Sequence, residues 1–259
     1  MKVSMVKYTM LIKTYLKAYL KYPVEVFLKL IYLPVQMLMY YFLWINLSKS
    51  GDLDIRYIIS YYLITGLLNY SYPSRHIALN VEEDIMEGTI ANCLVRPYSY
   101  ILPALSRYIA WALIYSVIFI AAIIFLAFFQ KINIMQILYF IIASITGKLV
   151  EFMLWFDIGL LSFFIERIKG VIITVNALML LVSGNLIPLS LFPKTLHNIT
   201  YFFPFRTYIF FPADILISER SVQYIIFNLV LSIFWLIFLS VTAGFLFNKG
   251  VNKLQGNLS

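Results

Sequence analysis

A chain of 259 residues that is 62% hydrophobic, 18% aromatic and only 12% charged cannot cover a soluble globule, in which about 25% of residues are charged. An integral membrane protein of one domain remains, with room for six apolar spans of about 20 residues each. The net charge of +8 does not point to nucleic acid, because the basic residues are spread singly without a basic, aromatic-interleaved patch, and the single cysteine, Cys93, excludes an intrachain disulfide.

Residues 1–21 carry lysines at 2, 7, 13, 17 and 21 that share one side at helical spacing, with Leu11, Ile12, Tyr15, Leu16 and Tyr19 on the other. This pattern predicts an amphipathic helix lying in the headgroup layer; the alternative is a cytoplasmic extension of the first span. The first long apolar block lacks a small-residue cleavage site, which argues against a cleaved signal peptide. Spans follow at 24–47 and 55–72. The first contains Pro34 and the spaced pair Glu25 and Lys29, read as an anchor. Pro73, Arg75 and His76 mark the exit of the second.

Residues 80–100 are polar and acidic inside an otherwise apolar chain. Four of the twelve acidic residues, Glu82, Glu83, Asp84 and Glu87, fall within six positions, so the stretch faces water outside the bilayer. A helix end rich in carboxylates would favour its own positive dipole, Gly88 permits a sharp stop, and Ile85 and Met86 offer apolar knobs to a partner groove. The bland reading is a solvated loop.

A third span at 101–129 and a fourth at 134–165 come next. The fourth holds Lys148 and Glu151, three apart and able to neutralise one another, either lining a path or clamping two spans. Asp157, nearer the end of that span, reads as hydrated. The fifth span, 171–186, is short and ends in Ser183, Gly184 and Asn185. Residues 188–220 are apolar but hold four of the nine prolines, Pro188, Pro193, Pro204 and Pro212, which prevents one continuous helix and predicts a hairpin dipping into one leaflet. The last span is 222–247, followed by a polar tail.

Assigning Lys and Arg to the two sides, with Arg56 and Arg107 counted at the near ends of their spans and Lys29 and Lys148 left inside theirs, gives twelve on the side holding both termini and six on the other. The positive-inside rule therefore puts the termini and the acidic stretch in the cytoplasm.

The run Glu83-Asp84-Ile85-x-x-Gly88-Thr89-Ile90, then Leu94-x-Arg96-Pro97, and the run from Ser183 to Pro193 after span five resemble the permease subunit of ABC-2-type exporters. Phe203-Pro204-Phe205-Arg206-Thr207-Tyr208 and Phe211-Pro212-Ala213-Asp214-Ile215 are similar to one branch, whose permeases often occur as two related subunits served by one ATPase. The resemblance covers essentially the whole chain. It implies an all-α membrane domain with an amino-terminal interfacial helix, a cytoplasmic coupling helix between spans two and three, and an extracellular re-entrant hairpin between spans five and six. It implies ATPase docking through Glu82, Glu83, Asp84, Ile85, Glu87 and Gly88, with Arg96 and Pro97 ending the element. The hairpin would include Pro188, Phe192, Pro193, Pro204, Arg206 and Pro212. The partners would be cytoplasmic ABC ATPase subunits, which use the ATP and Mg²⁺, and a second permease, identical or related, in the plasma membrane.

No catalytic machinery is visible. His76 and His197 fall on opposite sides of the membrane by the charge count, no His, Cys and Asp group has metal-ligand spacing, and Gly147-Lys148 lacks the rest of a phosphate-binding loop. Two alternatives stay open: an intramembrane enzyme acting on lipid-linked groups, for which only His76 stands near the acidic run, and a secondary transporter, for which no inverted repeat is evident. Drug, lipid, peptide and glycan exporters share this scaffold, so the cargo is not named by the sequence.

Overall fold

The computed structural model describes residues 2–21, 23–48, 55–70, 74–90, 100–130 and 132–256. Cys93, Arg96, Pro97 and the polar turn at 49–54 lie outside the described residues, as do the side chains of Glu25 and Lys29.

The described chain is helical, without strands: α1 (Lys2–Leu20), α2 (Pro23–Ser48), α3 (Ile55–Tyr70), α4 (Ser74–Met86), α5 (Ile101–Gln130), α6 (Ile134–Leu160), α7 (Lys169–Val182), α8 (Lys194–Ile199), α9 (Phe205–Tyr208), α10 (Phe210–Ile217) and α11 (Val222–Gly256). Among the described residues, 134–163 and 222–253 are long and apolar enough to cross a bilayer. Large apolar side chains face outward along α2 (Phe27, Leu28, Leu38, Phe42) and along α11 (Ile226, Val230, Phe234, Val241). A surface of that kind is stable only against lipid or another protein. This is an all-α membrane protein.

The helix ends follow local chemistry. Asn133 caps α6 and exchanges hydrogen bonds with Gln136 in a capping box, satisfying two donors that the helix start leaves open. Gly88 ends α4 with φ +71°, a left-handed conformation that costs an ordinary residue its Cβ clash. Pro34 sits inside α2 without interrupting it. In 188–220 the prolines break the chain into pieces: Pro188 and Pro193 precede short turns and α8, while Pro204 precedes α9. Pro212 lies in the first turn of α10, where its missing N–H costs nothing.

α6 is the axis of the fold. α4, α9, α10 and α11 pack on it, while α1 lies along α5 and α2 along α3. Close crossings are made where side chains are absent. A Cβ added to Gly159 would come within 2.6 Å of Val81 on α4, and one added to Gly147 would overlap the Thr207 carbonyl at α9. One apolar core joins Val81, Tyr100, Tyr108, Phe152, Trp155 and Phe156. A second joins Tyr40, Tyr61, Tyr62, Phe140 and Phe210.

Two boundaries differ most from expectation. α4 begins at Ser74, six residues before the acidic stretch, because the apolar positions Ile77, Ala78, Val81 and Ile85 form one buried stripe at helical spacing. α11 runs to Gly256 because its last turns are packed: Gly250 lies against the Phe163 ring, and Lys253 Nζ donates to the Phe163 carbonyl at 3.1 Å.

Candidate functional site

The acidic stretch forms the C-terminal end of α4, the reverse of the dipole argument from sequence. Carboxylates in a last turn face the negative end of the helix, at a cost of about 0.3–1 kcal/mol each, and two of them are met by positive groups. Asp84 Oδ2 accepts from Arg107 Nη2 on α5 at 2.8 Å and from the Tyr100 hydroxyl at 2.7 Å. Its Oδ1 accepts from Thr89 Oγ1 at 3.2 Å. Glu82 Oε1 accepts the Ile168 backbone N–H at 3.0 Å, just ahead of α7. Ile85 is buried in the core beside Val81.

The six residues expected to meet a partner therefore divide by face. Asp84, Glu82 and Ile85 turn toward the chain's own helices, whereas Glu83, Glu87 and Gly88 are exposed. Met86, 53% exposed, joins them. The backbone below is tied off, with the Ile90 N–H reaching the Asp84 carbonyl at 3.0 Å. One helix tip thus shows two carboxylates and a flexible apolar side chain outward, while its inner side is fastened to α5, α6 and the start of α7.

Lys148 and Glu151 meet at 2.6 Å, and both side chains are almost wholly enclosed. Tyr108 donates to the Lys148 carbonyl at 3.3 Å, and Lys148 Nζ lies 5.9 Å from the Tyr208 ring centre. The pair sits where α5, α6 and α9 meet, with both of its charges on α6. Asp157 is buried too, and not hydrated as the sequence suggested: its Oδ2 accepts a hydrogen bond from Thr242 Oγ1 on α11. α11 runs beside α6 and covers it.

The hairpin side holds a larger polar group, which sequence reasoning missed. Asp214, fully buried on α10, accepts from Arg220 Nε at 2.9 Å and Nη2 at 2.7 Å and from the Tyr224 hydroxyl at 2.9 Å. That bidentate pairing raises the Arg220 pKa further above its ordinary value. Arg206 is also fully buried, with its guanidinium 3.6 Å from the Tyr201 ring centre, and it donates to Thr200 Oγ1 at 3.2 Å. Burial, with Arg206 close by, pushes the His197 imidazole below its usual pKa. Pro188, Phe192 and Pro193 lie at the other edge, where Ser190 and Tyr57 hydroxyls are 3.0 Å apart.

α3 holds the chain between α7 and that edge. Tyr61 donates to the Gly184 carbonyl and Tyr62 to the Leu186 carbonyl, each at 2.6 Å. Asn69 Nδ2 donates to Asn185 Oδ1 at 2.6 Å. The signal was available in sequence as hydroxyl-bearing rings at positions 57, 61 and 62 of one apolar helix.

Among the described residues no three His, Cys, Asp or Glu side chains group as a metal site. The described chain is a helical membrane protein with apolar outward faces on α2 and α11. The model of the ABC-2 family transporter proteins matches residues 30–257, and the chain belongs to that family. It is a membrane transport permease, of a kind that generally works with ATPase subunits. No curated protein matches it.

Proposed function

We propose that the chain is the transmembrane subunit of an ATP-driven exporter. Its six spans are α2, α3, α5, α6, α7 and α11, its termini and the α4 tip face the cytoplasm, and it pairs with a second permease, identical or related. Cytoplasmic ATPase subunits bind and hydrolyse ATP with Mg²⁺; this chain contributes movement.

The observation that carries the reading is the two-faced end of α4. Glu83, Met86 and Glu87 present a charged and apolar contact to an ATPase, with Gly88 closing the turn beneath them. Glu82, Asp84 and Ile85 transmit that contact inward, because each is joined to a different part of the bundle. Closure of the ATPase pair would then push α4 and rock α5 and α6 between two packings. Lys148 and Glu151 serve as a clamp in that motion, and the cargo leaves between two permeases past the Pro188–Arg220 segment. The outward apolar faces of α2 and α11 suit lipid and amphipathic cargo, and drug, lipid, peptide and glycan remain the cargo classes to test.

The test is co-purification of an ABC ATPase subunit co-expressed with this chain. Glu83→Lys with Glu87→Lys is expected to abolish capture while the permease still elutes as a folded species. Full capture and full transport by that double variant would overturn the docking assignment. The alternative of an intramembrane enzyme predicts turnover of a lipid-linked group by the chain alone, without ATPase.

A further inference from the structure

α1, α4 and α5 enclose a cavity of 280 Å³ that no part of the coupling scheme uses. Its polar wall is built by His76 and Asn80 from α4, Arg107 from α5 and Tyr19 from α1, and Trp111 closes one side. Tyr19 and Trp111 meet edge to face, their ring centres 4.8 Å apart.

The wall carries a guanidinium, an imidazole, an amide and phenols, and no carboxylate. Arg107 spends Nη2 on Asp84 and Nε on Tyr15, and among the described residues its Nη1 makes no protein hydrogen bond. Asp84 is not one of the wall residues; it holds Arg107 and accepts the Tyr100 hydroxyl, and the Tyr108 hydroxyl goes to the Lys148 carbonyl, so the charged donor of the wall is Arg107, beside the Asn80 amide. A donor-lined pocket suits an oxyanion, and charge-assisted donors from arginine favour phosphate in particular.

Size and place narrow the ligand. The volume is at the small end for ligand pockets, which run from about 300 Å³ upward, so it fits a headgroup and not a whole drug-sized molecule. Paired Tyr and Trp rings belong at the boundary between lipid and water. Exposed Lys13 and Lys17 on α1 and Arg75 on α4 add the positive field that draws anionic lipid to such a boundary.

Resting on the reading of α1 as an interfacial helix, we propose that this cavity binds the phosphate of an anionic phospholipid headgroup. The bound phosphate ties α1 to α4 and α5 beside the Asp84 and Arg107 contact. Lipid composition of the cytoplasmic leaflet thereby sets how firmly the coupling helix is held.

The test uses the purified chain alone in detergent, with native mass spectrometry as readout and three probes: dioleoylphosphatidylglycerol, dioleoylglycerol without phosphate, and inorganic phosphate as competitor. The expected result is retention of the phosphatidylglycerol but not of the dioleoylglycerol, with affinity lowered about tenfold in His76→Ala and in Asn80→Leu. Displacement by inorganic phosphate supports a site for the phosphate group itself. Resistance to displacement, with the variants still weakened, supports a site that needs the lipid-borne phosphate. Equal retention of dioleoylglycerol, or unchanged phosphatidylglycerol affinity in both variants, overturns the proposal. No ATPase is present in the measurement, so failure to capture one bears on the exporter reading alone.

Discussion

Asp84, in the last turn of α4, and Arg107, on the first third of α5, are joined by a 2.8 Å ion pair. The contact turns a carboxylate that the helix dipole disfavours into the bond between the α4 tip and a long helix. Asp84→Asn and Arg107→Gln are each expected to lower stability by about 1–3 kcal/mol and to reduce transport by more than the stability loss explains. The check is thermal unfolding and transport measured on the same preparations, together with the double variant, whose two effects should be far from additive.

Lys148 and Glu151 predict a different pattern. Removing either partner leaves an unpaired charge in a dry site, at a cost of about 3–5 kcal/mol. Lys148→Met or Glu151→Gln alone should therefore expel most of the protein from the folded fraction, while Lys148→Met with Glu151→Gln recovers much of it. Chromatographic yield of monodisperse protein measures the difference; equal losses in all three variants would show that the pair is not a mutual neutralisation.

The partners on the hairpin side are unequal, and so are their expected substitutions. Asp214 is fully buried, whereas Arg220 keeps 36% of its side chain exposed. Arg220→Gln strands a buried carboxylate and is expected to cost about 3–5 kcal/mol. Asp214→Asn leaves a guanidinium that can reach water, and should cost less. Unfolding midpoints of the two variants decide the order.

Gly159 and Gly147 are close crossings, and a methyl group at either has nowhere to go. Gly159→Ala would push against Val81, and Gly147→Ala against the Thr207 backbone, each costing about 1–3 kcal/mol as an overpacked contact. Gly170→Ala, where nothing lies within 4 Å, is the control and is expected to leave the unfolding midpoint in place.

The apolar blocks and their order were legible from composition, because bilayer-length hydrocarbon runs leave few choices of element. The ion pair of Lys148 and Glu151 was legible too, since three-residue spacing puts both on one helix face. The start of α4 was not: the carboxylates drew the eye to Asn80, while the buried stripe that defines the helix begins with Ile77, earlier than any carboxylate. Asp157 was misread as hydrated because nothing local to α6 shows that α11 will cover it. The link from Asp214 to Arg220 depends on the chain reversing between Ser218 and Ser221, a geometry that apolar spacing does not encode. The exposed residues of the α4 tip could be told from those that face inward only once α5 and Ile168 were in place.

α6 touches α4 at Gly159 and α9 at Gly147, twelve residues apart along one helix, or about 18 Å at 1.5 Å per residue. At Gly147 the neighbour is the α9 backbone itself, and at Gly159 it is the Val81 side chain with the Ala78 backbone behind it. α6 thus has two tight crossings, one at its middle and one at its C-terminal end. Under the proposed export scheme, a push received at the α4 crossing would therefore move α6 as a unit against α9.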